Sequence, residues 1–411
     1  MDLTTSVVST QQAVLVTNVE YTVEEVGHHV PTAILQLRSR TADGSLVTTE
    51  VEGFRPYFGL LQSDFVGDAL EVCNDRRVIG AEVDCSPEVW ADTIGVDPDA
   101  VSARDIEQYL SDELDADIYH DPEPYTTIHD DPVARVFTRE PGDVGGKTGI
   151  RADLDVDTFE ADVPFVDRFL ISSEIYQGAR LDPDVDRVRY ENWPGESDGR
   201  DCVQEIEAID HRPDVTARMV VYDIEVATED EGFPKPERAV HPITSISAYD
   251  SYRDEYRLWG LASDSWERDT ETLTDDIKTA LRDRPDFPDD TAGGPTLADV
   301  TLFDDETQLL ESFHSWVLAC DPDIFTGYNA GGFDHPYLIQ RSYNVQALSI
   351  KRYTPTGNPG VWKETFEGNE QVNFSLSGRS TLDILDAYKK TQFRELDSYT
   401  LAAVADAELD Y

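Results

Sequence analysis

A nine-residue run near the middle of the chain, Met219-Val220-Val221-Tyr222-Asp223-Ile224-Glu225-Val226-Ala227, restricts the fold more than any other stretch. Side chains alternate faces along a strand, so Val220, Tyr222, Ile224 and Val226 form one wholly apolar face, while Asp223 and Glu225 project together from the other. Such a strand belongs inside a sheet covered on both sides, which leaves two acids at its C-terminal end in need of a partner. A divalent cation is the usual partner. With a fifth of the chain acidic, about 17 acid-x-acid triplets are expected by chance. Most such pairs are solvated surface; the apolar strand is what sets this one apart.

A length of 411 residues suggests two to three domains, and 39% hydrophobic residues are enough for ordinary cores. The charge is unusual: 84 acidic against 33 basic residues, net −51, with only seven lysines. Acidity spread along the whole chain, with lysine depleted, points to a cytosol of multimolar salt, where the Debye length is about 3 Å or less and self-repulsion is tolerable. Nucleic-acid binders usually show basic patches, but at molar salt counterion release contributes little, so recognition leans on metals, stacking and hydrogen bonds. DNA is therefore not excluded. Cys73, Cys85, Cys202 and Cys320 form no Cys-x-x-Cys pair, which argues against a disulfide framework or zinc ribbon and for buried small hydrophobes. With no signal sequence and no run of 18 apolar residues, a soluble intracellular protein without a membrane partner is expected.

Residues 1–180 are expected to form a mixed, β-rich domain. Its strands fall at 13–21, 32–38, 46–52, 57–62 and 134–138, with helices near 103–114 and 163–170. Residues 181–216 are polar, poor in periodicity, and expected to be a connection laid on the surface. The second domain, 217–411, opens with the carboxylate strand, followed by two antiparallel strands at 243–249 and 256–261. A loop-rich acidic segment (264–300), an amphipathic helix at 307–320, a short buried strand at 324–327 and a helix from 336 follow. This order is similar to that of the ribonuclease H-like α/β fold.

After that short strand comes Gly327-Tyr328-Asn329-Ala330-Gly331-Gly332-Phe333-Asp334-His335-Pro336-Tyr337-Leu338. Glycines permit a tight loop, and Asp334 sits near a helix start. If the short strand lies beside the carboxylate strand, Asp334 faces Asp223 and Glu225 across the crevice at the strands' carboxyl ends. Three converging acids can hold two magnesium ions that activate a water and stabilise a leaving oxygen; a lone Asp after a turn can equally be a plain helix N-cap.

Asp223-Ile224-Glu225 followed by Tyr328-Asn329-x-x-x-Phe333-Asp334-x-Pro336-Tyr337-Leu338 resembles the first two exonuclease motifs of family B DNA polymerases. Asp321-Pro322-Asp323-Ile324, Gly378-Arg379 with Asp383, and Ser398-Tyr399-Thr400-Leu401 extend the resemblance. Phe54-Arg55-Pro56-Tyr57 and Asp162-Val163-Pro164-Phe165 with Arg168 are similar to the family's N-terminal domain. The resemblance implies 3′–5′ proofreading with Asp223, Glu225 and Asp334 as catalytic metal ligands, magnesium as cofactor and manganese as substitute. It further implies that Phe333, Asn329 and Tyr328 contact the DNA strand, and that Asp383 is structural. In archaeal members the N-terminal domain detects template uracil, and Pro56, Tyr57, Val133, Pro164, Phe165 and Arg168 match that pocket, although as plain residues they also suit a domain core.

The resemblance also sets expectations about what is missing. The family's third exonuclease motif, a Tyr-x-x-x-Asp helix, lies some thirty residues beyond its Tyr-Thr-Leu segment, and the palm, fingers and thumb lie further on. The expectation is an N-terminal portion of a polymerase from a halophilic archaeon, cut before that motif, inactive by itself, cytoplasmic, and tied to a sliding clamp through the missing part. The alternatives are a self-contained nuclease of the same fold and a non-catalytic DNA-binding module that senses uracil.

Overall fold

Alternating apolar and polar residues build strands throughout the chain, which divides into two units, Met1–Val215 and Thr216–Tyr411. The computed structural model describes residues 11–24, 32–67, 69–196, 202–228, 232–262, 269–283, 295–366, 369–392 and 395–408.

In the first unit a six-stranded sheet runs Arg187–Arg189, Leu46–Glu52, Thr32–Arg40, Gln12–Glu24, Gly178–Leu181, Glu207–Ala208. A second sheet runs Asp117–His120, Val78–Val83, Pro132–Thr138, Tyr57–Leu61, Thr158–Phe159, with Tyr125–Thr126 added beside Pro132–Thr138. The expected helices occur at Ala103–Glu113, started by a Ser102/Asp105 capping box, and at Phe165–Ser173. One core gathers around Phe58, Phe65 and Trp90, another around Leu35, Phe54, Phe137 and Phe169. The expected connection at 181–216 is corrected: Arg187–Arg189 pairs in parallel with Leu46–Glu52, and Glu207–Ala208 pairs with Gly178–Leu181. These strands are two or three residues long, too short to show a periodicity. Of the cysteines, Cys73, Cys85 and Cys320 are buried and Cys202 is half-buried; none of the four is in a disulfide.

The second unit is a sheet ordered Thr296–Phe303, Glu255–Leu261, Ile243–Asp250, Met219–Val226, Ile324–Gly327, Ser380–Asp383. The first three strands in sequence form the antiparallel meander, and Ile324–Gly327 and Ser380–Asp383 add in parallel. Helices Glu306–Cys320 and Asp334–Asn344 supply Leu309, Phe313, Val317, Tyr337 and Leu338 to one core with Val220, Tyr222 and Ile224. Segment 264–300 is not simply loop. It contains the helix Thr270–Arg282 and the start of Thr296–Phe303, while its parts at 264–268 and 284–294 lie outside the described residues. Arg379 ties three segments together: buried, it donates to the carbonyls of Pro322 (2.6 Å) and Tyr353 (2.9 Å) and pairs with Asp321 at 2.8 Å. No described helix is long and apolar enough to cross a membrane.

Candidate active site

The carboxylate strand is central in its sheet, but only one of its faces is covered at the site. Val220, Tyr222 and Ile224 are buried, whereas Asp223 and Glu225 are exposed. The expectation of cover on both sides is thus corrected, since the helices that bury Tyr222 sit on its own face.

Ile324–Gly327 lies directly beside this strand, with Met219 opposite Ile324, Val220 opposite Phe325 and Val221 opposite Thr326. Gly327 lets the two backbones approach: a Cβ there would stand 2.5 Å from the Tyr222 carbonyl oxygen. The chain then turns through Asn329 in the left-handed region (φ +58°) and enters the helix at Asp334. Asp334 is not the N-cap, a position Phe333 takes without a side-chain bond. Its carboxylate is 3% exposed and accepts the Ile224 N–H at 3.0 Å. Parallel pairing ends at Val221, and the amide lying between the two acids is met by a side chain 110 residues away.

The electrostatics of these acids is unfavourable. Burial, with the charge of Asp223 adding to it, pushes Asp334 up to about 7 despite the Ile224 bond. Asp223, exposed by surface area but partly desolvated by the sheet around it, is also raised, by that desolvation first and then by Glu225. Among the described residues no Lys or Arg pairs with any of the three. Hard oxygen donors repelling one another without a basic partner suit a divalent cation. Among the described residues no three such side chains are gathered into a coordination shell, because Asp334 turns inward onto the Ile224 amide while Asp223 and Glu225 face outward.

The loop before Asp334 is held by Asp383. Its Oδ1 accepts from Asn329 N–H (3.1 Å) and its Oδ2 from Gly331 N–H (2.8 Å), while Oδ1 also caps helix Ile384–Thr391 through Leu385 N–H (2.9 Å). The side chain of Asn329 is exposed. Tyr328 spends its hydroxyl on the Tyr399 carbonyl at 2.7 Å, which makes it an anchor for that segment. Phe333 is half-buried between Tyr337 (5.2 Å) and Phe233 (5.0 Å). Phe233, 77% exposed, carries no motif or periodicity that would select it; its packing on Phe333 is what marks it.

In the first unit a cavity of about 350 Å³ is lined by Pro56, Tyr57, Pro164, Phe165 and Arg168, together with Tyr21, Pro141, Val144 and Val163. Val133 is not among them. Strand register places Tyr57 opposite Phe137 but Val133 opposite Leu61, at the far end of the same pairing, and Val133 lines a neighbouring pocket. Arg168 is 4% exposed, pairs with Glu160 at 2.8 Å and reaches the Tyr57 hydroxyl at 3.4 Å.

A mixed α/β chain with a β-rich first unit, and a second unit whose central strand brings acids against a helix start, is the class defined by this fold and site. The family model for the exonuclease domain of family B DNA polymerases matches residues 156–404, more than half of the chain. The chain belongs to that family. Its exonuclease domains depend on divalent metal. The chain is 31% identical over 202 residues to the DNA-directed DNA polymerase of Escherichia phage RB69, covering 47% of this chain and 21% of that protein. Against the DNA polymerase delta catalytic subunit of Mesocricetus auratus it is 28% identical over 268 residues, covering 60% and 21%. It spans about a fifth of the length of these relatives.

Proposed function

We propose that the second unit provides metal-dependent 3′–5′ proofreading to a DNA-directed DNA polymerase, acting on the 3′ end of a primer strand. The observation that carries this reading is the Asp334 carboxylate bonded to the amide between Asp223 and Glu225. The relatives favour it over a self-contained nuclease or a non-catalytic module, since they are DNA polymerases. Asp223, Glu225 and Asp334 are the ligands, and magnesium, replaceable by manganese, is the cofactor. When bound, the metal supplies an activated water and charge stabilisation at the leaving oxygen. Around it Phe333 packs against the terminal nucleotide, Asn329 offers its exposed amide to the strand, and Tyr328 fixes the neighbouring chain.

The first unit is a template-strand domain whose cavity admits uracil and excludes thymine by its methyl group. The charge of −51 fits a halophilic archaeal host and a cytoplasmic setting. Attachment to a sliding clamp belongs to the same reading of the whole polymerase.

Manganese binding followed by electron paramagnetic resonance in 2 M KCl tests the metal assignment, the salt suppressing loose association with surface acids. Asp223→Ala and Asp334→Ala should each remove the tight site. Unchanged manganese binding in both variants would refute the assignment.

A further inference from the structure

The first unit holds a second cavity, of about 540 Å³, within the range that holds small ligands. Tyr57 lines both cavities. The Arg168 guanidinium, on the wall of the first, lies 5.0 Å from the Tyr57 ring centre, and that of Arg135, on the wall of the second, lies 5.7 Å from it. Arg135 is further enclosed by the rings of Tyr125 (4.2 Å) and Phe137 (5.6 Å), and an ion pair with Glu82 holds it in place. Tyr125, at the mouth of the second cavity, is 55% exposed.

We propose that the second cavity binds the base adjacent to the one held in the first, on the same DNA single strand, with the Tyr57 ring as the partition between them. This rests on reading the first cavity as a base pocket. An aromatic ring beside a planar cation is a stacking surface that accepts any base. Consecutive bases lie roughly 3.4 Å apart along a strand, so seating them on either side of the buried Tyr57 ring means spreading them apart. In a chain of net charge −51, attraction to phosphates is weak and stacking must carry affinity.

The test measures fluorescence anisotropy of labelled oligonucleotides with the 411-residue chain in 2 M KCl. The strands carry one uracil with ordinary flanks, one uracil with an abasic site on either side, or thymine in place of uracil. Tyr125→Ala is the main variant, since its exposed ring is not part of the core, and Arg135→Met, checked by thermal melting, is the second. Tyr125→Ala should weaken the ordinary uracil strand by about tenfold. An abasic site on one side should weaken it equally, and Tyr125→Ala should then cost nothing more on that strand. An unchanged affinity in Tyr125→Ala, or the same loss with and without the flanking base, overturns the proposal. Equal binding of uracil and thymine, with the Tyr125 effect confined to strands with a flanking base, counts against the first cavity and supports the second.

Discussion

Ile224 has no reactive group, yet its backbone amide decides where Asp334 points. Asp334 ionises only near pH 7 in the folded chain, whereas an unfolded aspartate ionises near 4. Its contribution to stability is therefore complete below about pH 4 and is lost as pH rises through about 7. In chelator and high KCl the melting temperature should fall between pH 5 and 8, Asp334→Asn should flatten that fall, and manganese should raise the melting point at pH 8 but not at pH 5. A fall that persists in Asp334→Asn would place its origin elsewhere. Phe233 gives a second residue-scale expectation. It is exposed and lies tilted against Phe333, so Phe233→Ala should leave melting unchanged and weaken single-strand binding several-fold, on the order of one lost stacking contact. Asp223 and Glu225 could be read directly because strand alternation assigns faces. The cavity around Tyr57 could be read only in part. Tyr21, Pro141 and Val144 come from distant segments, and no local period links them to Pro56 and Phe165.

Among the elements, the loop from Tyr328 to Phe333 depends on one carboxylate outside it. Asp383 accepts two loop amides and caps the following helix through two more, so Asp383→Ala strands four donors at once. A loss of about 2 to 4 kcal/mol is expected in urea unfolding, from one cap and two partly exposed hydrogen bonds. Manganese binding should weaken while its stoichiometry is kept, as a loosened loop implies; loss of the bound ion altogether would make Asp383 a ligand. The long strands and the helix Glu306–Cys320 were legible because each carries a full amphipathic pattern. Helix Thr270–Arg282 had the same signs, with Asp269 capping Thr272 and Leu273, Ile277 and Leu281 at helical spacing, but acidic composition masked them. Strand Thr296–Phe303 was harder to read, since a register shift beside Tyr256 and Arg257 interrupts its pairing.

For the whole molecule, charge outweighs any single contact. The best-shielded ion pairs among the described residues use arginine, with Arg218 on Asp250, Arg341 on Glu306 and Arg135 on Glu82, while the chain carries 84 acids against 33 bases. At 1 M salt the Debye length is about 3 Å, and below that concentration the acids repel over longer distances. Circular dichroism should show unfolding as KCl drops below about 1 M; a chain fully folded in dilute buffer would contradict a halophilic origin. Charge and fold class were legible in composition and pattern, whereas the membership of residues 181–216 in the first sheet depended on pairings too short to see.

The bond from Ile224 to Asp334 also sets an order of events during synthesis. Its partners are 110 residues apart, and ribosomes add roughly 5 to 20 residues per second. The strand bearing Asp223 and Glu225 therefore leaves the ribosome roughly 5 to 20 s before the helix that completes the site. During that interval the meander has formed but its parallel edge is bare, and the nascent chain is most open there to mispairing with another strand or to capture by a chaperone.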